Sequence, residues 1–326
     1  MPLVTIVVPA FNVAKTLRET LDALQAQTFE DFEIVIVDDG SSDETASIAS
    51  SFLNDPRIRL VSQRNRGLAG ARNSGIAAAR GSLIGFCDAD DIWEPNKLAA
   101  HVQHLQSDET IGISYSGSSL INDDGDFLGQ SQKPRLGNID AAHIFKRNPI
   151  GNGSAPVIRR AVFDAIAFRP AAETERDWYF DETFRQSEDI ECWLRIALTT
   201  DWEFAGVPGM LTRYRISAGG LSAVTDRQFS AWENMVAKLT PLAPDFFARH
   251  APVARAYQLR YLARRAISDL DGKRAKRLLT ASLQQSRRPL LEEPIKTGVT
   301  ILATLALVSG GRDVLRAMMH KKAAQA

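Results

Sequence analysis

Hydrophobic and polar positions switch between two periods along the first hundred residues. Val4 to Val8 is an unbroken β-branched run closed by Pro9, the pattern of a strand buried on both faces of a parallel sheet. Ala14 to Gln27 places Leu17, Leu21 and Leu24 at helical spacing, and Phe32-Glu33-Ile34-Val35-Ile36-Val37 returns to strand composition, making a β-α-β unit. The same alternation predicts a helix over Ser41 to Phe52, a strand over Ile58 to Val61, a helix over Ala69 to Arg80 and a strand over Ser82 to Cys87. Pro95 opens a further helix over Asn96 to Gln106. Beyond it the pattern loosens, with turn signals at Asn122-Asp123-Asp124-Gly125 and Pro149-Ile150-Gly151-Asn152-Gly153. Trp193, Ile196 and Ala197 mark one more helix packed by a single face, and from about Gln228 the chain reads as helical and basic.

This alternation predicts an α/β fold with a doubly wound sheet, whose ligands gather at the carboxyl ends of the strands. We expect three regions: 1–110 as a nucleotide-binding half, 111–225 as an acceptor-facing half that carries the catalytic base, and 226–326 as a basic helical region. A chain of 326 residues with 44% hydrophobic and 24% charged positions has ordinary globular composition. Its formal net charge is zero, which argues against a dedicated nucleic-acid binder. The charge is unevenly spread: 15 Lys and Arg face 5 Asp and Glu after residue 250, against 24 and 34 before it. Cys87 and Cys192 have neither metal-ligand spacing nor a disulfide framework and read as reduced, packed thiols. Met1-Pro2-Leu3-Val4-Thr5 shows no basic leader or cleavage site, so a cytoplasmic protein is expected.

Chemistry concentrates at the expected strand ends. The first strand ends in Pro9-Ala10-Phe11-Asn12 and the second in Asp38-Asp39-Gly40-Ser41-Ser42-Asp43. Phe11 suits stacking on a nucleobase and Asp39 suits a base N–H, while helix capping is the competing account of Ser41 to Asp43 and of one of the two adjacent aspartates. The fourth strand ends in Cys87-Asp88-Ala89-Asp90-Asp91, where three carboxylates within four positions call for a cation, Mg²⁺ or Mn²⁺, or else form a solvated acidic turn. Gln63 to Gly75 sets Arg64, Arg66 and Arg72 at a loop-to-helix junction that favours a diphosphate; surface arginines and packing glycines are the plainer account. Glu188 and Asp189 begin the later helix, either as first-turn acids favoured by its dipole or as a general base for an acceptor hydroxyl.

Taken in order, P-A-F-N, D-D-G-S-S-D, N-R-G-x-x-x-A-R-N-x-G, D-A-D-D-x-W-x-P and E-D-x-x-x-W-x-R resemble the motif series of the family 2 inverting glycosyltransferases, over roughly residues 3–217. The resemblance implies the GT-A fold, a doubly wound mixed sheet flanked by helices with a C-terminal helical region. It implies transfer of a sugar from a nucleoside diphosphate, UDP above all, to a hydroxyl of a saccharide or lipid-linked acceptor. By similarity Phe11 and Asp39 contact the base, Asp88 the ribose or metal, and Asp90 the metal, with Asp189 as catalytic base and Glu188 as its alternative. Pro9, Asn12, Asp38, Arg66 and Arg72 complete the donor-binding set, and Trp93, Asn152 and Trp193 the acceptor-binding set. The late motif departs from the family's pattern, because Ser217 in Arg213-Tyr214-Arg215-Ile216-Ser217 stands where members often carry His. The Q-x-x-R-W signature of processive synthases is not visible, which implies one transfer per encounter.

The basic end joins Arg264-Arg265, Lys273-Arg274, Lys276-Arg277 and Arg287-Arg288 to an apolar stretch over Gly298 to Val308. Only 15 residues separate Lys296 from Arg312, short of the roughly 20 that span a bilayer. Two readings stand: peripheral contact with anionic lipid, or a soluble subdomain in which the apolar helix is buried. Two other functions compete with transfer. A nucleotide-dependent oxidoreductase lacks its glycine fingerprint after the first strand, and a non-catalytic sugar-nucleotide-binding subunit has no need of Asp88, Asp90, Glu188 and Asp189 together.

Overall fold

The structure, a computed structural model, describes residues 1–216 and 225–312. The elements are β1 (Val4–Ala10), α1 (Leu17–Gln25), β2 (Phe32–Asp38), α2 (Thr45–Ser51), β3 (Ile58–Ser62), α3 (Gly67–Ala78), β4 (Leu83–Phe86), β5 (Ile92–Trp93), α4 (Lys97–Ser107), β6 (Ile111–Ile121) and β7 (Phe127–Gln132). They continue with α5 (Ala141–Lys146), β8 (Val157–Arg159), α6 (Arg160–Ile166), α7 (Glu188–Thr199), β9 (Glu203–Arg215), α8 (Thr225–Leu239), α9 (Pro244–Ser268), α10 (Gly272–Gln285), α11 (Arg288–Glu292) and α12 (Pro294–Val308). One compact unit holds Met1–Ala141 and the chain from Pro149 through β9; the other holds Ala142–Asn148 and the helices from α8 onward.

The sheet runs β3-β2-β1-β4-β8-β6-β9-β5, with β7 paired to β6. Strands β1 to β4 are mutually parallel, whereas β8 meets both β4 and β6 antiparallel, which makes the sheet mixed. After β1, β2 and β3 the chain returns to the other side of β1, so the order reverses between β1 and β4 and opens a crevice at their carboxyl ends. Every residue of β1 and β2 is buried, and Leu17, Leu21 and Leu24 of α1 lock onto them as their spacing requires.

Helix α3 lies against β1, and Gly75 permits the approach: a Cβ there would overlap the Val7 side chain. Gly75→Ala would gain up to about 1 kcal/mol of helix propensity but overpack a core residue, an effect of about 1–3 kcal/mol. We expect a net loss of stability, read as a lower urea midpoint at unchanged slope; a raised midpoint would show that α3 can lift.

The structure departs from the sequence pattern in two places. Helix α2 begins at Thr45 rather than Ser41, because Ser41, Ser42 and Asp43 bond across to the loop after β1 instead of entering the helix. The region that read as loosening contains two long strands, β6 and β9. The period of β6 is hidden because it buries Ser114, Ser116 and Ser118, and that of β9 because Gly206, Pro208 and Gly209 interrupt it. Those serines face a polar core around Lys97, which donates to the Ala155 carbonyl (2.8 Å) and Thr212 (3.0 Å), and His101, which bonds Ser114 (2.7 Å). Burial pushes the Lys97 amine down to about 7 and the His101 ring well below its usual value.

Candidate active site

The rim begins where β1 and β2 end. Phe11 leaves the buried strand and is 48% exposed, an apolar face at the mouth of the crevice, while Pro9 stays buried inside β1. Asn12 takes a left-handed conformation (φ 54°) and is stitched to the β2 loop: its N–H donates to Ser41 Oγ (3.1 Å) and its Oδ1 accepts from the Ser42 N–H (2.8 Å). Asp38 Oδ1 accepts from the Ser41 N–H at 3.1 Å. Asp39 reaches the other way, accepting from the N–H groups of Arg66 and Gly67 (2.8 Å each) and from Gln63 Nε2 (2.6 Å). It therefore holds the first turn of α3, while Asp43 of the same motif accepts from the Thr45 N–H (3.0 Å) at the start of α2, so both helices gain a carboxylate.

The three carboxylates after β4 are not equivalent. Asp91 is wholly buried, with Oδ1 accepting from the Arg215 N–H (2.9 Å) and Oδ2 from the Ser154 hydroxyl (2.5 Å). Asp88 and Asp90 stay partly exposed, and burial followed by the charge of Asp88 pushes the Asp90 carboxyl up to about 6. Ser154 Oγ accepts from the Asp88 N–H (2.8 Å), and Asn152 Oδ1 accepts from the Ser154 N–H (3.1 Å). Asn152 also donates to Ser118 Oγ and Gln132 Oε1, so it underpins the Asp88 turn from inside.

Arg72, only 3% exposed on α3, joins this turn to the second acidic motif. Its Nη2 donates to Asp88 Oδ1 (3.0 Å) and its Nη1 to Glu188 Oε1 (2.9 Å), while its Nε is buried without a partner. Glu188 and Asp189 open α7 after Ser187, which sits at φ 64°. Burial raises both carboxyls above their ordinary values, Arg72 opposes the rise, and each is raised further by Asp88. Asp88, Glu188 and Asp189 thus belong to one electrostatic cluster although a hundred residues separate them in sequence.

The remaining expected residues are placed differently. Arg66, expected beside a diphosphate, here spends its guanidinium on Glu182 (2.9 Å), Glu175 (2.9 Å) and Glu173. Trp93 and Trp193 are each 1% exposed, so their bulk serves packing instead of the cleft surface expected for acceptor contacts. The Trp93 indole donates to the Ser154 carbonyl (3.0 Å), and Trp193 packs edge-on against Phe180. Asn152 is also buried, its amide consumed as described. Arg215, quoted above in the late motif without a role, donates to the carbonyls of Asp90 (2.8 Å), Asn122 (2.9 Å) and Asp123 (2.8 Å) and fastens the acidic turn. Tyr214 beside it has its hydroxyl pushed up by burial and by Asp91, Asp88 and Asp90. Ser217 lies outside the described residues.

Among the described residues no group of three or more His, Cys, Asp or Glu side chains encloses a metal. Asp88 and Asp90 nonetheless suit a hard divalent ion, because Mg²⁺ typically takes one or two carboxylates and fills its shell with water and phosphate oxygens. Burial and then the charge of Asp88 hold the Asp90 carboxyl up, and such an ion would oppose both.

Residues 5–166 match the Glycosyl transferase family 2 model. The chain is 28% identical over 244 residues to an uncharacterized glycosyltransferase of Rickettsia bellii, covering 73% of this chain and 34% of the relative. It spans about a third of the length of the first curated relatives it matches. Among solved structures, S. aureus TarS 1–349 in complex with UDP-GlcNAc aligns with TM-score 0.55 at 18% identity, covering 97% of this chain and 84% of that one. The mannosyltransferase PcManGT from Pyrobaculum calidifontis, in complex with GDP-Man and Mn²⁺, aligns with TM-score 0.55 at 20% identity, covering 94% and 87%. These two likenesses establish the shared GT-A fold. With the motifs gathered around one crevice and the family model matching from β1 to α6, this chain belongs to glycosyl transferase family 2.

Proposed function

We propose that the crevice transfers a sugar from a nucleoside diphosphate, UDP in the first instance, to a hydroxyl of a saccharide or lipid-linked acceptor with inversion at the anomeric carbon. The observation that carries this reading is Arg72, whose one guanidinium binds Asp88 after β4 and Glu188 at the start of α7. It sets the donor-side carboxylate beside the residues suited to activate an acceptor. Phe11 offers a stacking face for the base, and the anchored Asp39 offers its remaining acceptor capacity to a base N–H. The uridine and guanosine nucleotides held by TarS and PcManGT support a nucleotide donor here.

In this reading Asp189 takes the proton of the acceptor hydroxyl, whose oxygen forms the new bond to the anomeric carbon as the bond to the diphosphate breaks and its electron pair leaves with the phosphate. Asp88 and Asp90 would hold a Mg²⁺ or Mn²⁺ ion, which would supply Lewis-acid stabilisation of that leaving group. Residues 1–110 then serve the donor and 111–225 the acceptor and base, and the cytoplasmic face of a membrane is where we place the acceptor. The test is slow donor hydrolysis with Mn²⁺ across a panel of sugar nucleotides, followed by the anomeric configuration of a transfer product. Release of nucleoside diphosphate from one donor and a β-linked product from an α-linked donor are expected. Release from no donor would remove the catalytic reading, and retained configuration would remove the single displacement.

A further inference from the structure

Helix α12 is turned inside out. Its buried residues are Thr297, Thr300 and Thr304, whereas Ile295, Val299, Leu302, Leu305 and Val308 are 82, 61, 68, 59 and 48% exposed. Burial of apolar surface alone would orient such a helix the other way. Polar contacts fix the inner side: Arg260, buried on α9, donates to Thr297 Oγ1 (2.6 Å), and Thr297 donates to the Pro289 carbonyl (2.5 Å). The Thr300 and Thr304 hydroxyls return to the helix's own Lys296 and Thr300 carbonyls at 2.7 Å each. Rotating α12 to hide its apolar side would take Thr297 away from the buried Arg260, leaving that guanidinium only Glu293 and the Pro289 carbonyl. Leu290 and Leu291 of α11, both exposed, carry the apolar side toward the start of α12.

The charges around this stripe identify what covers it. Arg287, Arg288 and Lys296 are exposed at its start, and Arg312 at its end. Lys273, Lys276 and Arg277 are exposed on α10, whose first residue meets the last turn of α12: a Cβ on Gly272 would stand 2.9 Å from Leu307 Cβ. From Ile295 to Arg312 there is no Asp or Glu. Glu292 and Glu293 just before it are consumed by Lys146, Arg147, Arg260, Arg288 and Lys296. A two-fold contact between copies through this face would set the same cations against each other, so a second copy fits poorly. No helix among the described residues is long and apolar enough to cross a membrane.

We infer that the exposed side of α12 lies in the plane of an anionic lipid surface, with Ile295, Val299, Leu302 and Leu305 among the acyl chains and the flanking lysines and arginines at the headgroups. The inference deepens the membrane-side placement proposed above, yet it rests on the helical unit alone and stands or falls separately from the transferase chemistry.

The experiment is co-sedimentation of the full chain with phosphatidylcholine vesicles with and without phosphatidylglycerol. Binding to the anionic vesicles is expected, with partial release when salt near 1 M shortens the Debye length to about 3 Å. Val299→Glu/Leu302→Glu should weaken binding about tenfold or more, and Lys273→Glu/Lys276→Glu/Arg277→Glu should remove the preference for anionic lipid. All these side chains are exposed, so melting curves and donor hydrolysis should match the parent in both variants. Failure of the full chain to bind anionic vesicles at low salt would overturn the inference, as would unchanged binding by Val299→Glu/Leu302→Glu. A parent that is oligomeric in solution and becomes monomeric with that substitution, without lipid binding, would make the stripe a contact between copies. Lipid binding that appears only after truncation at Arg312 would mean that residues 313–326 cover the face.

Discussion

Asp189→Asn is expected to lower kcat by about 10²- to 10⁴-fold and to leave donor affinity nearly unchanged, because asparagine keeps the shape of the side chain and removes its basicity. The choice of Asp189 over Glu188 rests on the family resemblance. Glu188 is buried with Oε1 held at 2.9 Å by Arg72, which makes it a tether for the arginine that also holds Asp88. Glu188→Gln should therefore disturb donor binding as well as turnover and raise KM. Steady-state kinetics with donor and acceptor varied separately tell the two apart; normal turnover by Asp189→Asn beside an inactive Glu188→Gln would make Glu188 the base. The same pair sets the pH dependence. Burial raises both carboxyls, and a base works only when ionised, so kcat/KM should fall with decreasing pH along a limb lying above the range of an ordinary carboxylate near 4. That limb should vanish from the residual rate of Asp189→Asn.

Asp90→Ala is expected to abolish transfer without unfolding the chain, since it removes a partly exposed carboxylate and relieves a repulsion with Asp88. Activity of the parent should disappear with EDTA and return with Mn²⁺ or Mg²⁺. Full turnover after EDTA treatment would refute the assignment of Asp88 and Asp90 to a metal. Its neighbour supplies the control: Asp91→Ala leaves the Arg215 N–H and the Ser154 hydroxyl without their buried acceptor, so a stability loss of about 1–3 kcal/mol should accompany any loss of rate. Adjacent aspartates are thus expected to fail differently, one in turnover with an unchanged melting curve and the other in both.

Period and composition alone were enough to place β1, α1, β2, β3, α3 and β4 in order, and hence the strand ends at which Phe11, Asp39, Asp88 and Asp90 stand. Local repetition encodes those elements: a short β-branched run closed by Pro9 favours a strand buried on both sides, and leucines at helical spacing favour one buried helix face. What the acids at those ends do was not legible, because a cap, a metal ligand and an ion-pair partner are the same residue until their neighbours are known. Asp39 caps a helix begun 28 residues later, and Arg72 joins carboxylates 100 residues apart in the chain. Strand β6 escaped for a related reason: buried serines erase its apolar period, and only Lys97, His101 and Asn152 packed behind them explain why serine belongs there, while β9 is interrupted by Gly206, Pro208 and Gly209. For the segment 298–308 the sequence left open whether its apolar side faces in or out. Arg260 on another helix bears on it, since its buried guanidinium takes Thr297 as a partner on the inner side.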